Sequence, residues 1–315
     1  MLPNIAELIS LISFWAAASV LAKIAFYMGA LSLGGGGLCL IFFNDRTFRN
    51  YTVLLRYIIF GSLVGIHAEV MFFILKVGEL ADAGLFGMFD IEYAKILWNT
   101  PIGVVLRYRS LAFSLALIMA LITFSRVFRL ASPPGKVFFL PLLTIQGIAL
   151  LLIISVFEHS GHVSVLDDLS WLAVGVHFLA FSCWIGSLFP LNWILENSST
   201  VVAKNLLIRF SVAGSAAVGL MVTTGIYLTY RLTGLATEAF FSAYGQHLIL
   251  KVAFVLFILI VAAFNKWRFV PELNDGDEAS RLFMRRSLRV EVFLSVIVLL
   301  ITAYLSSQLS PMFII

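Results

Sequence analysis

The sequence predicts an all-α fold, a polytopic membrane bundle of about eight transmembrane helices, and three observations carry that expectation. Of 315 residues, 61% are hydrophobic and only 12% are charged, about half the charged share of an ordinary soluble domain. Apolar stretches of about 20 residues, the length that crosses a bilayer as a helix, recur along the whole chain. The runs are continuous rather than alternating, which selects helices over a closed barrel as the way to satisfy backbone groups in lipid. Ala112–Thr123 and Val252–Phe264, for example, hold no ionisable residue. Residues 1–315 therefore read as a single integral membrane domain, with the bilayer as their solvent.

Taken in order, the spans fall at 18–43, 52–76, 104–126, 137–157, 169–192, 206–230, 245–267 and 287–308. Residues 1–17 extend the first run, either along the interface or as part of a tilted helix. The start, MLPNIAELIS, has no basic stretch and contains Glu7, so a cleavable signal is not expected. Gly34–Gly37 in the first span predict close helix packing or a kink. No GK[ST] follows them, which excludes a phosphate loop. The longest outer connection is 77–103, with Trp98 and Pro101. Spans four and five are joined by a turn containing EHSGH. Pro271–Ser287 reads as a solvated inner loop ending in a basic cluster, and Glu291 just beyond it as structural, with Asn265, Lys266, Arg268 or an Arg of the inner loops as partner. Met28, Met119 and Met221 look like packing residues.

Basic residues gather in alternate connections: Arg46 and Arg49; Arg126, Arg129 and Lys136; Lys204 and Arg209; and a last group from Lys266 to Arg289. The other connections carry Glu79, Asp82, Asp90, Glu92, Glu158, Asp167, Asp168 and Glu238. By the positive-inside rule the basic set is cytoplasmic and both termini face outward. The net charge of +4 thus reads as topology, and no nucleic-acid partner is expected. Cys39 and Cys183 lie in apolar runs without CxxC spacing, so neither a disulfide framework nor a thiolate metal site is expected.

The chemistry is expected at the histidines. All five, His67, His159, His162, His177 and His247, fall in the outer half of this topology. His67 and His177 lie roughly 12–14 Å below the outer boundary, and Glu69 and Lys251 roughly 9–11 Å, at ~1.5 Å per residue. Ionisable groups at such depth are costly and face a partner, a cavity or a pathway, so these four are expected to form one buried cluster. Imidazole binds copper, zinc, iron and nickel. His67 and Met71 share a helix face, and His159 and His162 are close enough in sequence to converge in a turn. An outer pair, with Glu158 and His247 beside it, leading to a deeper pair makes a ladder for a descending ion. The plainer alternative is that each histidine is a satisfied packing residue, with Glu69 and Lys251 a structural ion pair. No nucleophile elbow, HExxH or nucleotide motif is present, so an enzyme is not expected and no catalytic residue is assigned.

From Asp168 onward the chain resembles the copper resistance protein D (CopD) family of bacterial inner-membrane proteins. The carrying segments are VGVHFLAFSCWIGSLFPL (Val174–Leu191), TTGIYL (Thr223–Leu228), YGQHLILK (Tyr244–Lys251), NKWRFVPEL (Asn265–Leu273) and RRSLRVE (Arg285–Glu291), with SGH at Ser160–His162 upstream. Their order and spacing cover 158–308, spans five to eight with the preceding turn; the first four spans agree by length and hydropathy. The resemblance implies a multi-pass protein of the inner (plasma) membrane that handles copper, as Cu(I) or Cu(II), for homeostasis or resistance. It implies a copper permease, import favoured, and a separate periplasmic copper-binding partner of the CopC type. Copper would meet His159 and His162, then pass to His67 and His177, with Met71 holding the cuprous form and Glu69, Glu158 and Lys251 in support. Without an ATPase motif, movement would follow the ion's gradient or be coupled to another ion. Two rival readings stay open: a membrane redox protein in which His67 and His177 ligate haem b, and a structural or assembly subunit without a ligand.

Overall fold

A computed structural model describes residues 14–42, 47–157, 168–273 and 278–309. Among the described residues there is no strand, and 8 helices are long and apolar enough to cross a bilayer. They are α1 (Phe14–Phe42), α2 (Phe48–Ala81), α3 (Pro101–Val127), α4 (Leu140–Ser155), α5 (Asp168–Asn197), α6 (Thr200–Thr233), α7 (Ala243–Phe264) and α8 (Glu278–Gln308). Short connections make consecutive helices antiparallel. The N-terminal ends of α1, α3, α5 and α7 therefore share one end of the bundle, the end that the sequence places outside.

Local chemistry sets the helix starts. Thr47, Ser199 and Ser242 accept from the backbone N–H of Asn50, Val202 and Gly245 at 3.4, 3.4 and 3.0 Å, as N-caps. Pro101 opens α3, where its missing N–H costs nothing. Gly234 closes α6 in the left-handed region at φ 59°. The outer connection folds into a 3-10 turn, Gly84–Phe89, and a short helix, Ile91–Trp98, capped by Asp90. Arg107 fastens it by donating to the Trp98 carbonyl at 2.7 Å and lying 4.9 Å over its ring.

One expectation is corrected at the inner end. Pro271–Ser287 is not a loop throughout, because α8 already begins at Glu278. Arg281, Arg285 and Arg289 are spaced four apart and so share one helix face. Arg281 donates to the Leu195 carbonyl at 2.9 and 2.6 Å and to the Ser198 carbonyl at 2.5 Å, satisfying the end of α5. Arg285 and Arg289 both bond Glu196, at 2.6 and 2.7 Å. Glu291 is buried and accepts from Asn265, as the sequence expected.

Packing centres on α1, which lies against α2, α4, α5 and α8. The glycine run allows this. A Cβ on Gly35 would strike the Gly186 backbone of α5, and one on Gly29 would stand 2.8 Å from the Gly65 Cα of α2. Small residues thus replace the hydrophobic effect, which lipid does not supply, with close backbone contact. Pro190 inside α5 removes the bond to the Gly186 carbonyl four residues earlier. The Tyr57 hydroxyl donates to that carbonyl at 2.9 Å. By contrast, α6 packs mainly along α5, and α7 extensively only along α8 among the long helices.

Candidate functional site

Five ionisable residues form a layer across the bundle. Lys23, Glu69, Arg109, His177 and Lys251 each lie roughly 12–18 Å from the outer end of their helices at ~1.5 Å per residue. Within the layer the expected pairing is corrected: the partner of Glu69 is Arg109, not Lys251. Arg109 Nη1 stands 3.3 Å from Glu69 Oε1, with side chains 5% and 3% exposed. The guanidinium also lies 4.3 Å over the Phe26 ring and 5.3 Å over Phe157. Glu69 sits where α2 faces α3, whereas α7 lies against α8 on another side of α1.

Beside this pair is a cavity of about 570 Å³ walled by α1, α5, α6, α7 and α8. Its walls are chiefly apolar, and Lys23, Arg109, His177 and Lys251 reach it. Among the described residues no Asp or Glu lines it. Lys23 Nζ donates to the Ser306 carbonyl at 2.7 Å. Lys251 makes no hydrogen bond or ion pair with any described residue.

His177 is held in one tautomer. Its Nδ1 lies 3.0 Å from the Met221 carbonyl and 3.2 Å from Thr224 Oγ1. A carbonyl only accepts, so Nδ1 carries the proton and Nε2 keeps a free lone pair. Gly225 makes room for the ring: a Cβ there would stand 3.3 Å from His177 Cε1. The side of α6 thus orients an imidazole as carboxylates and carbonyls orient metal-ligating histidines. Met221, taken from sequence as packing, lines the same cavity.

His67 and Met71 do not join this site. Both are exposed on the bundle's outer face, Met71 by 41%. Residues two apart on a helix point about 200° away from each other, so burying Glu69 turns His67 outward. Among the described residues α2 contributes nothing to the cavity. The expected cluster of four therefore loses His67, and so does the facing pair that would ligate haem b. His247 is half-buried near the start of α7; its Nδ1 donates to the Ala243 carbonyl at 2.8 Å and its ring lies 5.1 Å from that of Tyr304. Glu158, His159 and His162 lie outside the described residues. Among the described residues no group of three or more His, Cys, Asp or Glu is placed to hold a metal ion. Lys23 and Arg109 were missed by the sequence reading, although a charge inside an apolar run is the signal that marks them.

Comparison with known proteins agrees with the resemblance read from the sequence. Residues 204–305 match the family described as copper resistance protein D. The match covers most of α6, all of α7 and most of α8, and starts later than the resemblance at 158. The chain is also similar to the inner membrane protein YebZ of Escherichia coli (strain K12), 26% identical over 136 residues. That stretch is 42% of this chain and 46% of YebZ, so the chain spans about half the length of the relative it matches. No solved structure matches.

Proposed function

We propose that this chain handles copper in the bacterial inner membrane, taking the ion inward from the outer face as a substrate, without covalent catalysis. The family match over α6 to α8 supports copper, and the name of the Escherichia coli relative supports the inner membrane. The observation that carries the reading is His177, an imidazole deep in the bundle with Nδ1 committed to Met221 and Nε2 left as a ligand.

In place of the expected deep pair of His67 and His177 with Met71 beside it, His177 and Met221 bring an imidazole and a thioether residue to one wall. Soft thioether with imidazole suits Cu(I). Lys23, Lys251 and the Glu69-paired Arg109 reach the cavity, and no described carboxylate lines it. Coulomb repulsion rises with ionic charge, so this setting opposes Cu(II) twice as steeply as Cu(I). Weak residence is what conduction requires, since an ion must leave as well as bind. Capture at the outer face is assigned to His159 and His162, with Glu158 and His247 beside them and a separate CopC-like protein as donor.

The test is copper-dependent accumulation in cells producing His177→Ala, Met221→Leu and His67→Ala variants, each checked for folding and insertion. His177→Ala is expected to abolish accumulation, Met221→Leu to reduce it, and His67→Ala to leave it unchanged. The reading fails if His177→Ala protein accumulates copper like the parent, or if His67→Ala abolishes it.

A further inference from the structure

We infer that the cavity between α6 and α7 takes an amphipathic anion from the bilayer, with Lys251 as the anchor for its acidic group. Three observations converge on this ligand class. The walls are apolar, and the volume of about 570 Å³ is that of a site able to enclose most of a small amphiphile. The charged groups that reach the space are all cations, and Lys251 has no counter-charge or hydrogen bond among the described residues. Lys251 is half-buried at the membrane depth of α7, and an ammonium held there in chiefly apolar surroundings is costly unless something pairs with it.

The third observation is an opening toward lipid. Ile226, Tyr230 and Leu235 on and after α6, and Val252 and Leu256 on α7, line the cavity and are 68%, 47%, 61%, 44% and 54% exposed. These two helices have no extended contact with each other; α6 rests on α5 and α7 on α8. The seam is therefore a lateral door, and an apolar tail can pass it without crossing water. An acidic head would reach Lys251 in the outer part of α7; Lys23 lines the same space, as does Arg109, whose own charge is met by Glu69. The occupant's charge would offset the cations that oppose copper in the same space, yet its binding does not depend on copper.

Two sources share this chemistry, an acidic phospholipid and a porphyrin carrying carboxylates. The experiment uses full-length protein purified in mild detergent without added copper. Native mass spectrometry, organic extraction and an absorbance spectrum are recorded for the parent, Lys251→Met and Lys251→Arg. Removing a half-buried charge that has no partner among the described residues is not expected to impair folding, and melting curves check this. A retained phosphatidylglycerol that falls about tenfold in Lys251→Met, a loss of 1.4 kcal/mol, and returns in Lys251→Arg supports the inference with lipid as the source. A Soret band behaving in the same way supports it with porphyrin as the source. The inference is overturned if no anionic amphiphile is retained, if Lys251→Met retains it like the parent, or if phosphatidylcholine vesicles load the stripped protein as well as phosphatidylglycerol vesicles do.

Discussion

Replacing Glu69 by Leu is expected to damage the fold far more than replacing Glu69 and Arg109 together. In the parent the two side chains are 3% and 5% exposed and 3.3 Å apart. Removing one member of such a pair strands the other charge, which costs roughly 3–5 kcal/mol. Arg109 keeps its place over Phe26 and Phe157, and cation–π contacts of this kind return about 0.5–2 kcal/mol each. Glu69→Leu should therefore lie toward the lower end of that range, at about 3 kcal/mol. Glu69→Leu with Arg109→Met leaves no charge behind, and such replacements are often neutral or stabilising. The assay is unfolding of purified protein in mixed micelles, by denaturing detergent or heat, read as a double-mutant cycle. A coupling of about 2 kcal/mol or more stands clear of the ~0.5 kcal/mol scatter of independent sites. The same cycle between Glu69 and Lys251 should show none. Additive losses for Glu69 and Arg109, or an equal coupling to Lys251, would refute the pairing.

Two further outcomes are expected. Gly225→Ala places a Cβ 3.3 Å from His177 Cε1 and 3.6 Å from Nδ1, so the ring must give by a few tenths of an ångström and its bond to the Met221 carbonyl is strained. The Cu(I) affinity of the purified protein should fall about tenfold, the lower end for loss of an orienting partner, and an unchanged affinity would count against His177 as ligand. Reporter fusions at Ile315 and within Asn274–Ala279 should give opposite sidedness, periplasmic and cytoplasmic, because basic residues favour the inner end; identical sidedness would sink the topology.

The number of spans was legible because each long apolar run has one stable state in lipid, a helix with its backbone satisfied. Depth along a helix follows from the fixed rise per residue, and with the helix bounds now known the same count keeps Glu69, His177 and Lys251 within a few ångström of one level. Direction around the helix was harder. His67 and Glu69 have nearly the same depth but point apart, a conflict that 3.6-residue periodicity already contains. What could not be read was which helix faces which. Glu69 meets Arg109 because α2 packs on α3, and that choice is made by close contacts such as Gly29 with Gly65. The inner loop was misread for a related reason: Arg281, Arg285 and Arg289 look like solvated topology charges until α5 supplies carbonyls and Glu196 to receive them.

The bundle divides its labour along the same lines. Helices α1 to α5 are fastened by backbone contact at glycines, by the buried Glu69–Arg109 pair and by the hydroxyl of Tyr57 on the carbonyl that Pro190 frees. Such contacts have few alternative arrangements, so this part is a frame. Helices α6 and α7 lack them toward each other, and α7 depends on α8 for most of its packing. Yet α6 holds the Met221 carbonyl that sets the tautomer of His177, and α7 carries Lys251. The segment that matches the copper family, 204–305, therefore contains both of the helices that lack extended contact with each other, together with most of α8, which ties α7 to the frame. A shift of α6 relative to α5 would change the orientation of the imidazole and the width of the lateral seam together. The orientation of His177 and access from the bilayer are thus coupled through one helix, so a movement of α6 that admitted an amphiphile would also act on the imidazole proposed to hold copper.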